Sequence, residues 1–375
     1  MKNQKNTAPS SRAEVKVPFV RIAQRNAIPP HRAWLIRAGG LLAALFTGAF
    51  LILALGENPF AVYAEMLDSA FGSRIGFRQT IRIATPLLGA ALAVGLAFKM
   101  RFWNIGAEGQ ILIGGIVASY FALFHLGNIP APLLLVVMGL TAAIAGGVWG
   151  LIPAFFRAKW GTNETLFTLM LNYVALGFVF YLQSLPAWQA DATGHPQIAR
   201  FDRLVRLPQL FGVHIGWVIV LVLAILVYLY IMHSKHGYQI NVVGESENTA
   251  RYAGMNVGKI IMRTMLISGG IAGFVGYLQV AGADFTLNET TAGGVGFTAI
   301  IVAWIAHLKP PVMILVALFI ATLERGALRI QTVFAIPATI ASILIGIILF
   351  FVLACEFFVR YRVIFRGRIT PKEDT

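Results

Sequence analysis

The sequence predicts an all-α integral membrane protein of about ten transmembrane helices, some of them short or re-entrant, with both termini cytoplasmic. Three observations carry this reading. Hydrophobic residues make up 58% of the chain and charged ones only 12%, with a mean hydropathy of +0.74, whereas charged residues account for about a quarter of an ordinary soluble domain. The apolar residues gather into runs near the length of about 20 residues that crosses a bilayer. The basic residues stand at the ends of those runs, as the positive-inside rule requires. A net charge of +14 would suggest nucleic acid only if the cations formed a patch or stripe on one face. Spread between spans they form none, and no nucleic-acid partner is expected. The single cysteine, Cys355, excludes an internal disulfide and any cysteine-built metal site.

Residues 1–32 are polar and basic, with Pro9, Pro18, Pro29 and Pro30, and read as a flexible cytoplasmic N-tail or one lying on the anionic lipid surface. A signal peptide over 1–56 fits poorly, because the charged region is too long and the apolar core exceeds about 15 residues. Spans follow near 38–56, 81–98, 104–126, 133–156, 164–185, 215–232, 264–282, 297–308, 311–326 and 337–358. The eighth and ninth are short and flank Lys309-Pro310-Pro311. They read as two half-length or tilted helices, or as one re-entrant hairpin. If all ten cross, 22 of the 30 Lys and Arg residues lie on the side of the termini. Arg74, Arg78, Arg82, Arg200, Arg203, Arg206, Arg325 and Arg329 lie opposite, a bias that places both termini in the cytoplasm. The transmembrane domain is thus expected over 33–360, with a long inner loop at 233–263 and a basic cytoplasmic C-tail at 361–375.

Several polar groups interrupt the spans. In Arg101–Gly115, Asn104, Glu108 and Gln110 sit in an otherwise apolar stretch, Asn104 and Glu108 four residues apart on one helix face. Polar groups at membrane depth are costly and survive mainly along a cavity or path. Glu108 must be paired, hydrated or neutral, and Arg82, Lys99 and Arg101 are candidate partners, so a buried structural ion pair competes with a place on the path. Phe102 and Trp103 read as interface anchors rather than a substrate-stacking platform. In the fifth span Glu164, Thr168 and Asn172 recur every four residues and form a polar stripe. Thr162 or Asn163 caps that helix while Glu164 favours its positive end. Asn172 lies about 12 Å further in at 1.5 Å per residue, too deep for capping. It is left to interhelical hydrogen bonding or substrate contact.

The exported loop at 183–214 carries Trp188, Asp191, His195 and Asp202 and reads as a small outer fold or a plain connector. Gly146-x-x-x-Gly150 and Gly269, Gly270, Gly273 and Gly276 permit close helix packing. Gly293-Gly294-Val-Gly296 marks a hinge or a broken helix. In the inner loop Ser246 can cap and Gly254 can end a helix of about two turns, suited to docking another protein or serving as a capped connector. Gly254-Met-Asn-Val-Gly258-Lys259-Ile260 lacks the spacing and the hydroxyl residue of a phosphate-binding loop, and no metalloprotease or hydrolase motif occurs. No catalytic or metal-binding residue is expected.

Phe102–Gln110, Asn163–Asn172, the loop Gly244–Val257 and Gly294–Ile300, in this order and spacing, resemble the inner-membrane permeases of ABC transporters in the branched-chain amino acid and simple-sugar group. The likeness is greatest to the nucleoside-uptake branch and runs from about residue 35 to 360. The resemblance implies a multi-pass permease subunit in the bacterial cytoplasmic membrane, not an enzyme, serving an ATP-driven importer of nucleosides. Simple sugars or branched-chain amino acids are the alternative cargoes, and a stand-alone secondary transporter using Glu108 as a proton-coupling carboxylate is the competing class. It implies a cytoplasmic ATPase that uses ATP and Mg, a second homologous permease forming a heterodimer, and an extracytoplasmic substrate-binding protein, with membrane lipid around the assembly. Asn104, Glu108, Gln110, Glu164, Thr168 and Asn172 then belong to the substrate pathway or hold its helices. Gly244–Val257 becomes the coupling helix, with Glu247, Thr249, Ala250, Tyr252, Ala253 and Gly254 at the ATPase. Trp103 stands where the family suggests a smaller residue, and the N-tail is longer than in many relatives.

Overall fold

A computed structural model describes residues 20–24, 29–190 and 197–365. The rest of the expected N- and C-tails, and Asp191 and His195 of the exported loop, lie outside the described residues. The chain forms two compact units, one from Met1–Gly48 with Ile347–Thr375 and the other from Ala49–Gly346.

The first unit holds most of α1 (Pro30–Ala54) and the end of α13 (Ala338–Arg360). Gly40 lets these helices meet closely, since a Cβ there would lie 2.7 Å from the Cβ of Cys355. Arg37 Nε and Glu356 Oε1 pair at 2.6 Å in the same contact. Outside the helices, β1 (Val20–Gln24) pairs antiparallel with β4 (Tyr361–Phe365), from Val20 opposite Phe365 to Gln24 opposite Tyr361. Residues 20–24 of the expected N-tail are thus held by backbone hydrogen bonds to the segment after α13.

The second unit is built on α3 (Arg74–Lys99), α4 (Ala107–Phe124), α5 (Ala131–Trp160) and α10 (Val257–Gln279). From Thr85 to Phe98 every residue of α3 is buried, as befits an apolar helix surrounded by others. Small residues set the approach of α4, α5 and α10. A Cβ on Gly273 would strike the backbone of Ala142 and Gly146, and one on Gly114 would strike Gly273. Backbones this close gain dispersion contacts where burial from lipid supplies no hydrophobic drive. Around this core lie α6 (Glu164–Ser184), α7 (Gly216–His233) and α12 (Pro310–Val333). A short α2 (Pro59–Phe71), capped by Asn58 accepting from the Phe60 N–H at 2.9 Å, is tied to α12 by Glu65 and Arg329 at 2.7 Å.

Among the described residues nine helices are long and apolar enough to cross a membrane. The ninth expected span is not short: it is the whole 24-residue α12, whose last turns carry Arg329 paired with Glu65. The eighth is short, an 11-residue α11 (Val295–Ile305). The inner loop expected at 233–263 is itself helical, with α8 (Lys235–Glu245) and a six-residue α9 (Glu247–Tyr252) ahead of α10. In the segment expected to be exported, Trp188 is buried, Asp202 caps a turn at Arg203–Val205, and Gln209–Leu210 (β2) pairs with Val213–His214 (β3).

Candidate functional site

The chain leaves α3 at Lys99 and turns back inward before α4 begins. Three helices give the depth of this return. Ser268, which accepts from Asn104 Nδ2 at 3.3 Å and donates to the Ala93 carbonyl at 2.7 Å, stands about 16 Å along α10 from its start and Ala93 about 9 Å from the end of α3, at 1.5 Å per residue. Asn172, about 12 Å along α6, reaches the same segment: its Oδ1 accepts from the Gly109 N–H at 2.9 Å and its Nδ2 donates to the Ile105 carbonyl at 2.9 Å. The α4 N-terminus therefore lies well inside the bundle.

Around it the polar residues bond to one another. Asn104 and Gln110 exchange amide hydrogen bonds at 3.2 Å in both directions, and the Gly106 N–H donates to Asn104 Oδ1 at 3.1 Å. Thr168 Oγ1 accepts from the Ile105 N–H at 3.3 Å. Asn104, Gln110, Thr168 and Asn172 are all buried, and a buried amide left unpaired would cost about 1–3 kcal/mol. Their mutual bonding explains how a non-helical stretch survives at this depth.

Glu108 completes the arrangement. Its Oε1 accepts from the Gly294 N–H and its Oε2 from the Gly296 N–H, each at 2.7 Å. These are first-turn donors of α11, which begins where Gly294 takes a positive φ of 82°. A helix N-terminus carries orphan N–H groups and a partial positive charge, and here an internal carboxylate satisfies both. The ion pair expected with Arg82, Lys99 or Arg101 is not formed. Arg82 donates to the Ala283 carbonyl and Lys99 Nζ to Asn241 Oδ1 at 3.4 Å. A carboxylate needs acceptor-compatible partners rather than a cation as such, and two backbone N–H groups serve. The hinge or broken helix expected at Gly293–Gly296 is thus the start of α11.

At the far end of α11, Trp304 stacks on Trp103 with ring centroids 5.7 Å apart and planes at 22°, and Phe98 packs against both. Trp103 is 43% exposed, whereas Phe102 is buried. The latter corrects its reading as an interface anchor: the return of the chain carries its ring into the core.

Glu164 opens α6 behind its cap Asn163, whose Oδ1 accepts from the Leu166 N–H at 3.2 Å, and it lies 3.5 Å from Arg157. In α9, Ser246 caps as expected by accepting from the Thr249 N–H at 3.2 Å. Tyr252 is 93% exposed, Thr249 and Ala253 are exposed, and Gly254 follows at a positive φ of 75° with open space around it. Ala250 is buried and anchors the helix rather than facing outward.

Four participants were not singled out in the sequence. Ser268 and Trp304 carry no local signal, being single residues in apolar runs. Arg157 reads only as one more inner positive charge. His214 is buried with neither ring nitrogen hydrogen-bonded, and burial and then the Arg82 charge hold its pKa down at about 4. It packs beside Val280–Asp284, a π-helical continuation of α10. At the opposite end of α6 from Glu164, a cavity of about 500 Å³ is lined by Phe180, Gln183, Arg200, Asn288 and Glu289. There Gln183 donates to Glu289 at 2.9 Å and holds that carboxyl below its usual range. Among the described residues no group of three His, Cys, Asp or Glu side chains is placed to hold a metal ion.

Residues 77–353 match the family described as the permease component of branched-chain amino acid transport systems. A glucose ABC transporter permease of Haloferax volcanii is 32% identical, over 94% of this chain and 96% of its own. A guanosine ABC transporter permease of Bacillus subtilis is also 32% identical, over 86% and 93%. A nucleoside ABC transporter permease of Lactococcus lactis is 28% identical, over 83% and 89%.

Proposed function

Because the chain belongs to this permease family, and is a multi-pass membrane subunit of an ABC importer with no catalytic activity of its own, we propose that its cargo is a nucleoside. The observation that carries the reading is the Glu108 carboxylate on the N-terminus of α11. Half-helix N-termini at membrane depth are where transporters receive anionic substrate groups. Here the position is filled from within, which disfavours a substrate carboxylate and so argues against amino acids. Uncharged, hydroxyl-rich cargo is favoured. The half-exposed Trp103 and Trp304 faces at the inner end of α11 suit the stacking of a base. A second reading, a simple sugar, is favoured by the glucose permease of Haloferax volcanii, and sugars too would leave the α11 terminus to Glu108.

In this account Asn104, Gln110, Thr168 and Asn172 hold the frame of the path, Glu108 fixes the half-helix, and Glu164 anchors α6. The exposed residues of α9, with Gly254, dock a cytoplasmic ATPase that hydrolyses ATP with Mg. A second homologous permease and an extracytoplasmic substrate-binding protein complete the importer in a bacterial cytoplasmic membrane. Both termini face the cytoplasm, with 285–294 and α11 together making a tenth crossing. The pairing of β1 with β4 supports this, since it joins the start of the first span to the end of the last. Fluorescent-protein fusions at either end are expected to fluoresce, and a dark fusion at one end would refute the topology.

The test of the assignment is energy coupling in cells. Guanosine uptake by this chain with its partner subunits is expected to stop when ATP is depleted and to continue when only the proton gradient is collapsed. The reverse outcome would identify a secondary transporter and overturn the proposal.

A further inference from the structure

Arg157 stands in the last turn of α5, and Gly161, at φ 66°, turns the chain so that α6 starts at Glu164. All three guanidinium nitrogens are in use. Nη1 points to the Gly161 carbonyl at 3.5 Å, Nε to Glu164 Oε2 at 3.5 Å, and Nη2 to Glu247 Oε1 at 3.6 Å. One side chain thus joins the end of α5, the start of α6 and the first turn of α9. A lysine has a single ammonium and cannot span three acceptors in this way. Beyond Glu164 the connections run on through α6. Thr168 and Asn172 hold residues 105–109, and Glu108 holds α11.

We propose that Arg157 is the positioning residue that carries displacement of α9 into α6, and through it to the Glu108-capped half-helix. This rests on the reading of α9 as the ATPase-docking helix. The Glu164 side chain is only one-tenth exposed, so its pair with Arg157 also holds the fold, whereas the pair with Glu247, one-third and two-fifths exposed, adds little to stability. The contact to α9 therefore serves geometry more than folding. A rigid strut differs from a stability contact in what its loss does: ATP is still hydrolysed, but less substrate moves for each ATP.

The experiment uses the full importer reconstituted in liposomes, with guanosine moved and ATP hydrolysed measured together. Arg157→Gln is expected to assemble and hydrolyse ATP while moving at least about fivefold less guanosine per ATP, the lower end of typical coupling strengths. Glu164→Gln is expected to give the same loss. The double variant is expected to lose no more than either single one, as for two ends of one contact. A wild-type ratio in Arg157→Gln, or a double variant whose loss is the product of the two single losses, overturns the proposal. If Arg157→Gln does not insert, Glu164→Gln decides alone, and a wild-type ratio there refutes the strut. Wild-type guanosine uptake that ignores ATP would instead refute the importer reading, and this strut with it, before any variant is made.

Discussion

The Glu108 carboxylate accepts the Gly296 N–H at 2.7 Å across 188 positions of sequence. It joins two segments that each look defective alone, a carboxylate inside a span and a helix that begins in mid-bundle. Together they satisfy one another, with charge against a helix terminus and acceptor oxygens against orphan donors.

Replacing Glu108 with Gln keeps the shape but offers one acceptor oxygen to two N–H groups, and it removes the charge. A loss of about 2 kcal/mol is expected for a charge-assisted bond of this kind. It should be read as a lower unfolding temperature in detergent, with the guanosine KM of the surviving transporter unchanged. A large rise in KM with stability intact would make Glu108 a substrate contact.

Asn172 serves two backbone groups of the returning segment, the Gly109 N–H and the Ile105 carbonyl. Asn172→Ala leaves both unpaired at a buried site and is expected to cost about 2–6 kcal/mol, from about 1–3 kcal/mol for each group. The yield of detergent-stable protein should fall accordingly. Asn172→Ala with wild-type yield and melting behaviour would show that the return is held elsewhere.

Much of this architecture is legible in the sequence, and the limits have physical causes. Apolar runs and basic flanks mark the spans because both are local. The glycines at 293–296 and the intrusions at Glu108 and Asn172 announce an irregular region because each breaks a local rule. What cannot be read is which irregularities meet: nothing near Glu108 says that its partners are backbone N–H groups of α11 rather than Arg82. The apolar run at 311–326 stops short of the end of α12, whose last turns carry Arg329 paired with Glu65 of α2, a helix too short to register as a span.

Gly273 faces Ala142, Gly146 and Gly114 with no room for a Cβ. Gly273→Leu is expected to prevent α10 from packing on α4 and α5, so that the protein inserts but aggregates on extraction. Size-exclusion chromatography in mild detergent checks this, and a monodisperse variant would contradict the packing.

His214 has a folded-state pKa of about 4, below its usual 6.5. The unfolded chain binds the proton first, so the stability from the neutral ring is complete above about pH 6.5 and is lost as pH falls toward 4. The groups beside it include Arg82, which opposes protonation. The unfolding temperature is expected to drop across that window, and less so in His214→Phe. An identical slope in the variant would assign the loss to other groups.

Gly254 is exposed, at positive φ, with nothing within 4 Å of a Cβ. Gly254→Trp is expected to leave insertion intact while reducing co-purification of the ATPase, since the indole would stand out from the docking surface. Unchanged co-purification would move the docking surface away from α9.

The central claim is that an internal carboxylate fills the anion position of the half-helix and so selects uncharged cargo. Competition for uptake in a strain lacking its other nucleoside, sugar and amino-acid importers tests it most directly. Labelled guanosine should accumulate, excess unlabelled nucleoside should compete, and leucine should neither accumulate nor compete. Leucine accumulation without guanosine accumulation would contradict the account.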